Sequence, residues 1–276
     1  MTMRAESEQL YRPARSSLFS LSRVPNWIVT ALSVTLMIGL WEYFGRSIDP
    51  VLGSYPSAIF ESFVRLMQTN RLQTAFWESM QPFFAGYGLA ALVGIPLGLL
   101  LGRFRLLEAA FGIYVTAGYS MPLIALVPLL ILWFGLGFAV KTVIVFLLAL
   151  FPICINTWLG VKAVPKSLIE VGKAFVAPQR SVLVHIVLPA VLPYIMAGLR
   201  LGIGKAVIAM IIAEFLTAIS GLGGIIITSA NSFKTADMLA PIILIMLFAV
   251  VLTAAVGWIE RLVAPWQSEI ADDGGL

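Results

Sequence analysis

Cysteine and histidine are nearly missing from this sequence: one of each, Cys154 and His185, in 276 residues. A lone cysteine forms no intrachain disulfide, and neither it nor a lone histidine supplies a metal site. Charge is scarce as well. Only 12% of residues are charged, about half the usual share for a soluble domain, while 60% are hydrophobic and the mean hydropathy is +0.97. Such a chain has too little polar surface to coat a water-soluble core, so its solvent is lipid. The net charge of +4 does not point to nucleic acid. The basic residues lie between apolar runs, where they set orientation. The expected class is an all-α integral membrane protein.

A spanning helix needs about 20 mostly apolar residues to cross roughly 30 Å of hydrocarbon. Six stretches qualify: Trp27–Phe44, Phe83–Gly102, Ala109–Phe134, Thr142–Val161, Leu192–Leu216 and Met238–Glu260. The first is long for a signal-peptide core and has no small-residue cleavage site after it, so it is expected to be retained. The third carries no charge and holds Pro122 and Pro128, which predict a kink or break. Gly135-Leu136-Gly137 is the natural turn after it.

Charge orients these spans. With the N-terminus in the cytoplasm, the inner segments hold Arg4, Arg12, Arg15, Arg23, Arg103, Arg105, Lys162, Lys166, Lys173, Arg180 and Arg261. The outer segments hold only Arg46, Arg65, Arg71, Lys141 and Lys234. That bias predicts both ends inside and an even number of spans. The expected organisation is a cytoplasmic N-terminal segment 1–26, a transmembrane domain 27–264 and a cytoplasmic tail 265–276. In the first outer loop, Ile59, Phe63, Leu66 and Met67 recur at helical spacing after Tyr55-Pro56-Ser57, which predicts a short amphipathic helix along the interface.

The fourth and fifth spans are joined by a long cytoplasmic segment, about residues 165–189. Pro165 can open a helix, with Glu170 in its first turns near the positive end of the helix dipole. Pro178 forces a break. A second short helix is expected to end at the Leu188-Pro189 step. An exposed short helix bearing Val171, Ala174 and Phe175 wants a groove on another protein.

This segment resembles the EAA loop of bacterial ABC-importer permeases: Glu-Ala-Ala, three residues, Gly, nine residues, Ile-x-Leu-Pro. Glu170 holds the Glu position, and Ile186, Leu188 and Pro189 fall at the expected offsets. Val171 and Gly172 replace the two alanines. Val176 stands where the family usually has glycine, so the docking helix is expected to begin at Ser167 and to be closed by Pro178. Tyr55-Pro56-Ser57, Ile95-Pro96-Leu97-Gly98, the run Pro128–Gly135, Phe151-Pro152-Ile153 with Asn156-Thr157, Gly198-Leu199-Arg200, Ala213-Glu214 and Ser220-Gly221-Leu222-Gly223 are similar to the taurine/sulfonate/nitrate subgroup.

The resemblance implies the type I importer permease fold in the bacterial cytoplasmic membrane. It implies two permease copies, two ATPase subunits and an extracytoplasmic substrate-binding protein. Glu170, Val171, Gly172, Lys173, Ala174, Phe175, Ala177 and Pro178 would couple to the ATPase, with Ile186, Leu188 and Pro189 as the scaffold of the loop. ATP and magnesium would be bound by that partner. Gly202-Ile203-Gly204-Lys205 fails as a phosphate loop, because Leu199 replaces its first glycine and Ala206 its Ser or Thr.

Arg200, Lys205 and Glu214 are charges within or at the end of the fifth span. Such charges usually face a bundle interior or a water-filled path. With Pro122, Pro128 and Asn156 they are candidates for the translocation path. The alternative is structural: snorkelling, helix-end contacts or an interfacial carboxylate. Five residues of helix put Arg200 and Lys205 roughly 140° apart, so both cannot face one pore, which favours the structural reading. Gly94, Gly98 and Gly102 allow close helix packing, within the subunit by preference. Ser220-Gly221-Leu222-Gly223-Gly224 is expected to be a re-entrant or outer turn.

Two rival classes remain. A membrane enzyme would need an intramembrane Ser–His pair or paired carboxylates, and the only histidine lies in the cytoplasmic loop. A stand-alone secondary transporter would show inverted repeats and broken helices in both halves, and no such repeat is seen. A small organic anion (a sulfonate, taurine-like compound or aromatic carboxylate), nitrate or bicarbonate all fit the subgroup that the chain resembles, with pyrimidine precursors as a further alternative.

Overall fold

The computed structural model describes residues 25–217 and 220–265, and among these every regular element is a helix. The segment expected to precede the first span falls, up to Val24, outside the described residues, as does the tail from Trp266.

In chain order the helices are α1 (Asn26–Gly45), α2 (Pro56–Gln68), α3 (Arg71–Arg103), α4 (Arg105–Ser120), α5 (Val127–Phe134), α6 (Phe138–Ala163), α7 (Lys166–Ala174), α8 (Gln179–Val182), α9 (Leu188–Thr217), α10 (Gly221–Asn231) and α11 (Thr235–Val263). Five uninterrupted helical stretches are long and apolar enough to cross a membrane: Trp27–Gly45, Arg71–Arg103, Phe138–Ala163, Gln179–Thr217 and Thr235–Val263.

The expected third span is not one helix. α4 ends at Ser120, and a 3₁₀ turn over Leu123–Leu126 leads into α5 with a bend of 84°. Pro122 is the cause: it has no amide to donate, and it pushes Met121 out of helical geometry to ψ 137°. Gly135 and Gly137, both at positive φ, then turn the chain into α6.

The core is α6 sandwiched between α3 and α9. Close approach is written into α3. A methyl group added at Gly98 would lie 2.5 Å from the Cys154 carbonyl oxygen, and one at Gly102 2.4 Å from Val161 Cβ. The glycine row is thus the seam on which α3 lies against α6. Ile144, Val145, Ile153, Ile203 and Met210 fill the space between the helices. α11 packs against α9, α10 and α2.

α2 does not simply lie along an interface. Ile59, Ser62 and Leu66 are buried, and Ser62 and Arg65 both contact the Asp237 carboxylate at the start of α11. α1 is the opposite case. It is largely apolar and almost wholly exposed; it packs against α2, and Trp41 donates to the Ser54 carbonyl in the loop before α2. Its solvent is therefore lipid or another chain.

Candidate functional site

The segment joining α6 to α9 is built as a projecting helix backed by a second one. α7 starts at Lys166, directly after Pro165, and ends at Ala174. Gly172 is buried. A methyl group there would sit 3.0 Å from Val182 Cγ2 and 3.1 Å from Ile186 Cδ1, so α7 lies closely on the following helix at this point. Val164, Val182, Val187 and Val191 form the small core beneath, with Ile169, Ala177 and Ile186 against it. Among the proposed scaffold residues, Ile186 thus supports α7 directly.

The outer side of α7 is apolar. Val171 is 52% exposed, Phe175 82% and Val176 88%. Leu168 adds to the same surface, and Glu170 and Ala174 are exposed beside it. Glu170 is the fifth helical residue, in the second turn rather than the first, so the helix dipole does little for it.

Two expectations about this loop are corrected. Pro178 does not close α7. Val176 does, by adopting the left-handed conformation at φ 50°, and the Ala177 amide donates back to the Gly172 carbonyl at 3.0 Å. This six-to-one bond is the Schellman closure, which favours glycine at the left-handed position. A valine there is an outlier, because its branched Cβ crowds the backbone. Pro178 instead caps the start of α8.

Nor does the second helix stop at Leu188-Pro189. α8 runs through a π turn over Leu183–Val187 straight into α9, giving one helical stretch over Gln179–Thr217. Pro189 lacks the amide that would reach the fourth residue back, and the Leu188 amide bonds the Leu183 carbonyl five residues back. The segment that carries α7 is therefore continuous with a spanning helix of the core.

Arg200, Lys205 and Asn156 line three cavities, and those of Lys205 and Asn156 share Tyr119. Arg200 contacts the Glu260 carboxylate on α11 and lines a groove with Ala249, Thr253 and Gly257. Lys205 lines a different cavity, of about 290 Å³, with Pro122. Asn156 donates to the Pro152 carbonyl at 2.8 Å and lines a third, of about 640 Å³. Pro128 starts α5, at its second position.

Glu214 is in none of these. It is fully buried, with Oε1 accepting from Ser79 Oγ at 2.7 Å and lying 3.4 Å from Lys141 Nζ. Its Oε2 accepts from the Gly223 amide at 2.8 Å. The charge pattern places Lys141 in an outer segment as an orienting charge. It lies instead in the first turn of α6, 3% exposed, and also donates to the Ser220 hydroxyl at 3.0 Å. The Gly221 amide donates to Glu78 and the Leu222 amide to Ser79. Four side chains from α3, α6 and α9 thus hold the first turn of α10. The Ser220–Gly224 segment is the start of this buried helix rather than a plain turn.

Neither Ser79 nor the Lys141–Glu214 pairing is legible in the sequence. The available signal was a lone cation just after a long uncharged stretch, and a lone anion at the end of another.

Comparison with known proteins agrees with the layout. Residues 94–269 match the family model described as binding-protein-dependent transport system inner membrane component. A putative ABC transporter permease protein of Methanocaldococcus jannaschii is 32% identical over 84% of this chain and 89% of its own length. A nitrate import permease protein of Leptolyngbya laminosa is 31% identical over 86% and 88%. The taurine transport system permease protein of Escherichia coli is 26% identical over 96% and 98%. In fold, the chain is similar to a chain of the inward-facing MetNI methionine ABC transporter. The TM-score is 0.52 at 21% identity, covering 68% of this chain and 94% of that one.

Proposed function

Since this chain belongs to the family of binding-protein-dependent transport system inner membrane components, as the multi-pass permease of an ABC importer and not an enzyme, we propose that α7 is its ATPase-docking element and that its solute is a small oxyanion. The observation that carries the docking role is the apolar knob of Val171, Phe175 and Val176. It is exposed on one side and braced on the other through Gly172 by Val182 and Ile186. A contiguous apolar face on a short exposed helix fits a groove on a partner.

Glu170, Ala174 and Pro178 are exposed beside this knob, Lys173 is proposed to couple with them, Ala177 backs the turn from the core side, and Leu188 and Pro189 join the loop to α9. A push on α7 reaches the core because α8 and α9 are one helical stretch. ATP and magnesium belong to the partner: this chain offers no phosphate loop. The assembly is a pair of permeases with a pair of ATPases, fed by an extracytoplasmic binding protein. The setting is the bacterial cytoplasmic membrane, with both termini in the cytoplasm. The charge bias of the loops supports that orientation.

The oxyanion reading rests on the nitrate and taurine permeases among the relatives. The test is reconstitution of the permease with its ATPase in liposomes, supplied with binding protein and radiolabelled nitrate, taurine or an alkanesulfonate. ATP-dependent uptake of one of these is expected. Uptake without the ATPase would instead make the chain a stand-alone transporter, and exclusive uptake of a cationic or neutral solute would refute the oxyanion class.

A further inference from the structure

Lys205 stands apart from the other charges of the core. It is twelve residues before the end of α9, about 18 Å along the axis, and seventeen residues after its start. A four-carbon stem does not reach either membrane surface from there. Among the described residues no carboxylate lies within ion-pair distance of it, although Arg200 and Lys141 each have one. Its side chain is exposed, and it borders the cavity of about 290 Å³ opened where α4 breaks at Pro122. An unpaired cation at that depth is costly against lipid, by about 2.5–3.5 kcal/mol or more. It faces water or a counter-charge.

The cavity has features that keep it wet. Pro152 removes the amide that would bond the Leu148 carbonyl, and both residues line the space. Tyr119 lines it too, and also lines the neighbouring cavity of about 640 Å³. There it is joined by Thr116, Asn156 and Lys162, and Lys162 is one residue before the end of α6, beside the loop that carries α7. Through the shared Tyr119 the two cavities form a track from Lys205 at mid-span to the end of the bundle that bears α7, where Glu108 neutralises Lys162 at 2.6 Å and Ile155, Leu159 and Leu201 make the rest of the wall mostly apolar.

We propose that Lys205 and Tyr119 form an oxyanion subsite in the cavity they both line, at the mid-span end of this track. The cation supplies the attraction and the tyrosine hydroxyl a hydrogen bond. This deepens the oxyanion reading given above and rests on it. The subsite takes the sulfonate, nitrate or carboxylate group itself, whichever molecule bears it.

Charged thiol reagents test this without knowledge of the solute. Cys154 is fully buried, so the unsubstituted chain serves as the blank. Tyr119→Cys, in the permease assembled with its ATPase, is treated with an anionic sulfonatoethyl and a cationic trimethylammonioethyl methanethiosulfonate. Rates are normalised to those with a free thiol. The anionic reagent is expected to be favoured, and Lys205→Gln is expected to lower that preference about tenfold, as loss of one nearby charge should. Lys205→Arg should keep it. Thr116→Cys provides a second position in the track if Tyr119→Cys assembles poorly. A preference unchanged by Lys205→Gln, or no labelling at either position, overturns the subsite. Uptake measured on the same preparations separates the two readings: ATP-driven oxyanion uptake with no charge preference sinks the subsite alone, and absence of such uptake sinks the reading beneath it.

Discussion

Lys141 at the start of α6 and Glu214 near the end of α9 form a buried ion pair, 3.4 Å apart, that closes over the first turn of α10. Their environment leaves neither charge a route to water, so each depends on the other and on Ser79, Ser220 and the Gly223 amide. Removing one partner of such a pair leaves an uncompensated buried charge, at about 3–5 kcal/mol. Lys141→Met and Glu214→Gln are each expected to lower the unfolding midpoint of the purified permease sharply. The double variant should recover part of the loss, which a double-mutant cycle by thermal unfolding in detergent measures. Additive losses would mean that the pair is not coupled.

Gly221 should tolerate no side chain. Its φ is +86°, and a methyl group would lie 2.0 Å from Glu214 Oε1. Gly221→Ala therefore forces the carboxylate out of its place as well as straining the backbone. The expected outcome is loss of folded protein on size-exclusion chromatography, at least as severe as Glu214→Gln.

Val176→Gly should stabilise the loop. The left-handed position costs a β-branched residue about 1–2 kcal/mol that glycine does not bear. Glycine also loosens the unfolded chain, so the net gain is expected to be about 1 kcal/mol or less. Slower hydrogen exchange at the Ala177 amide, whose bond to Gly172 closes the turn, is the readout. Faster exchange would show that the valine is held there by contacts worth more than the strain.

Arg200 should behave as a structural residue. It contacts Glu260 across α9 and α11 and lies in a different cavity from Lys205. Arg200→Gln is expected to lower thermal stability by about 1 kcal/mol, since the pair is half exposed, and to leave the apparent affinity for solute in the uptake assay unchanged. A selective loss of solute affinity at full stability would place it in the path.

These outcomes mark where the sequence was informative. Local pattern showed the apolar stretches, the proline break at Pro122 and the spacing from Glu170 to Pro189, because each depends on residues close in the chain. The pairing of Lys141 with Glu214 joins positions on different helices, and no periodicity reports it. At Val176 the motif's missing glycine suggested a different closure, yet the backbone kept the glycine conformation. Gly172 packs on Val182 and Ile186 and its carbonyl accepts the Ala177 amide that closes the turn, so the left-handed position falls on Val176. At Pro189 a local rule that reads proline as a helix end is overridden by a π turn, in which the Leu188 amide bonds the Leu183 carbonyl five residues back and the helix continues.

The most direct test of the account is whether α7 holds the ATPase. Phe175→Asp puts a charge on the 82%-exposed tip of the knob without touching the core beneath, and Glu170→Arg reverses the charge beside it. The permease should still fold and reach the membrane. Co-purification of the ATPase is expected to fall at least tenfold with Phe175→Asp, and ATP-driven uptake to fall with it. Undiminished co-purification together with undiminished uptake in both variants would contradict the docking role.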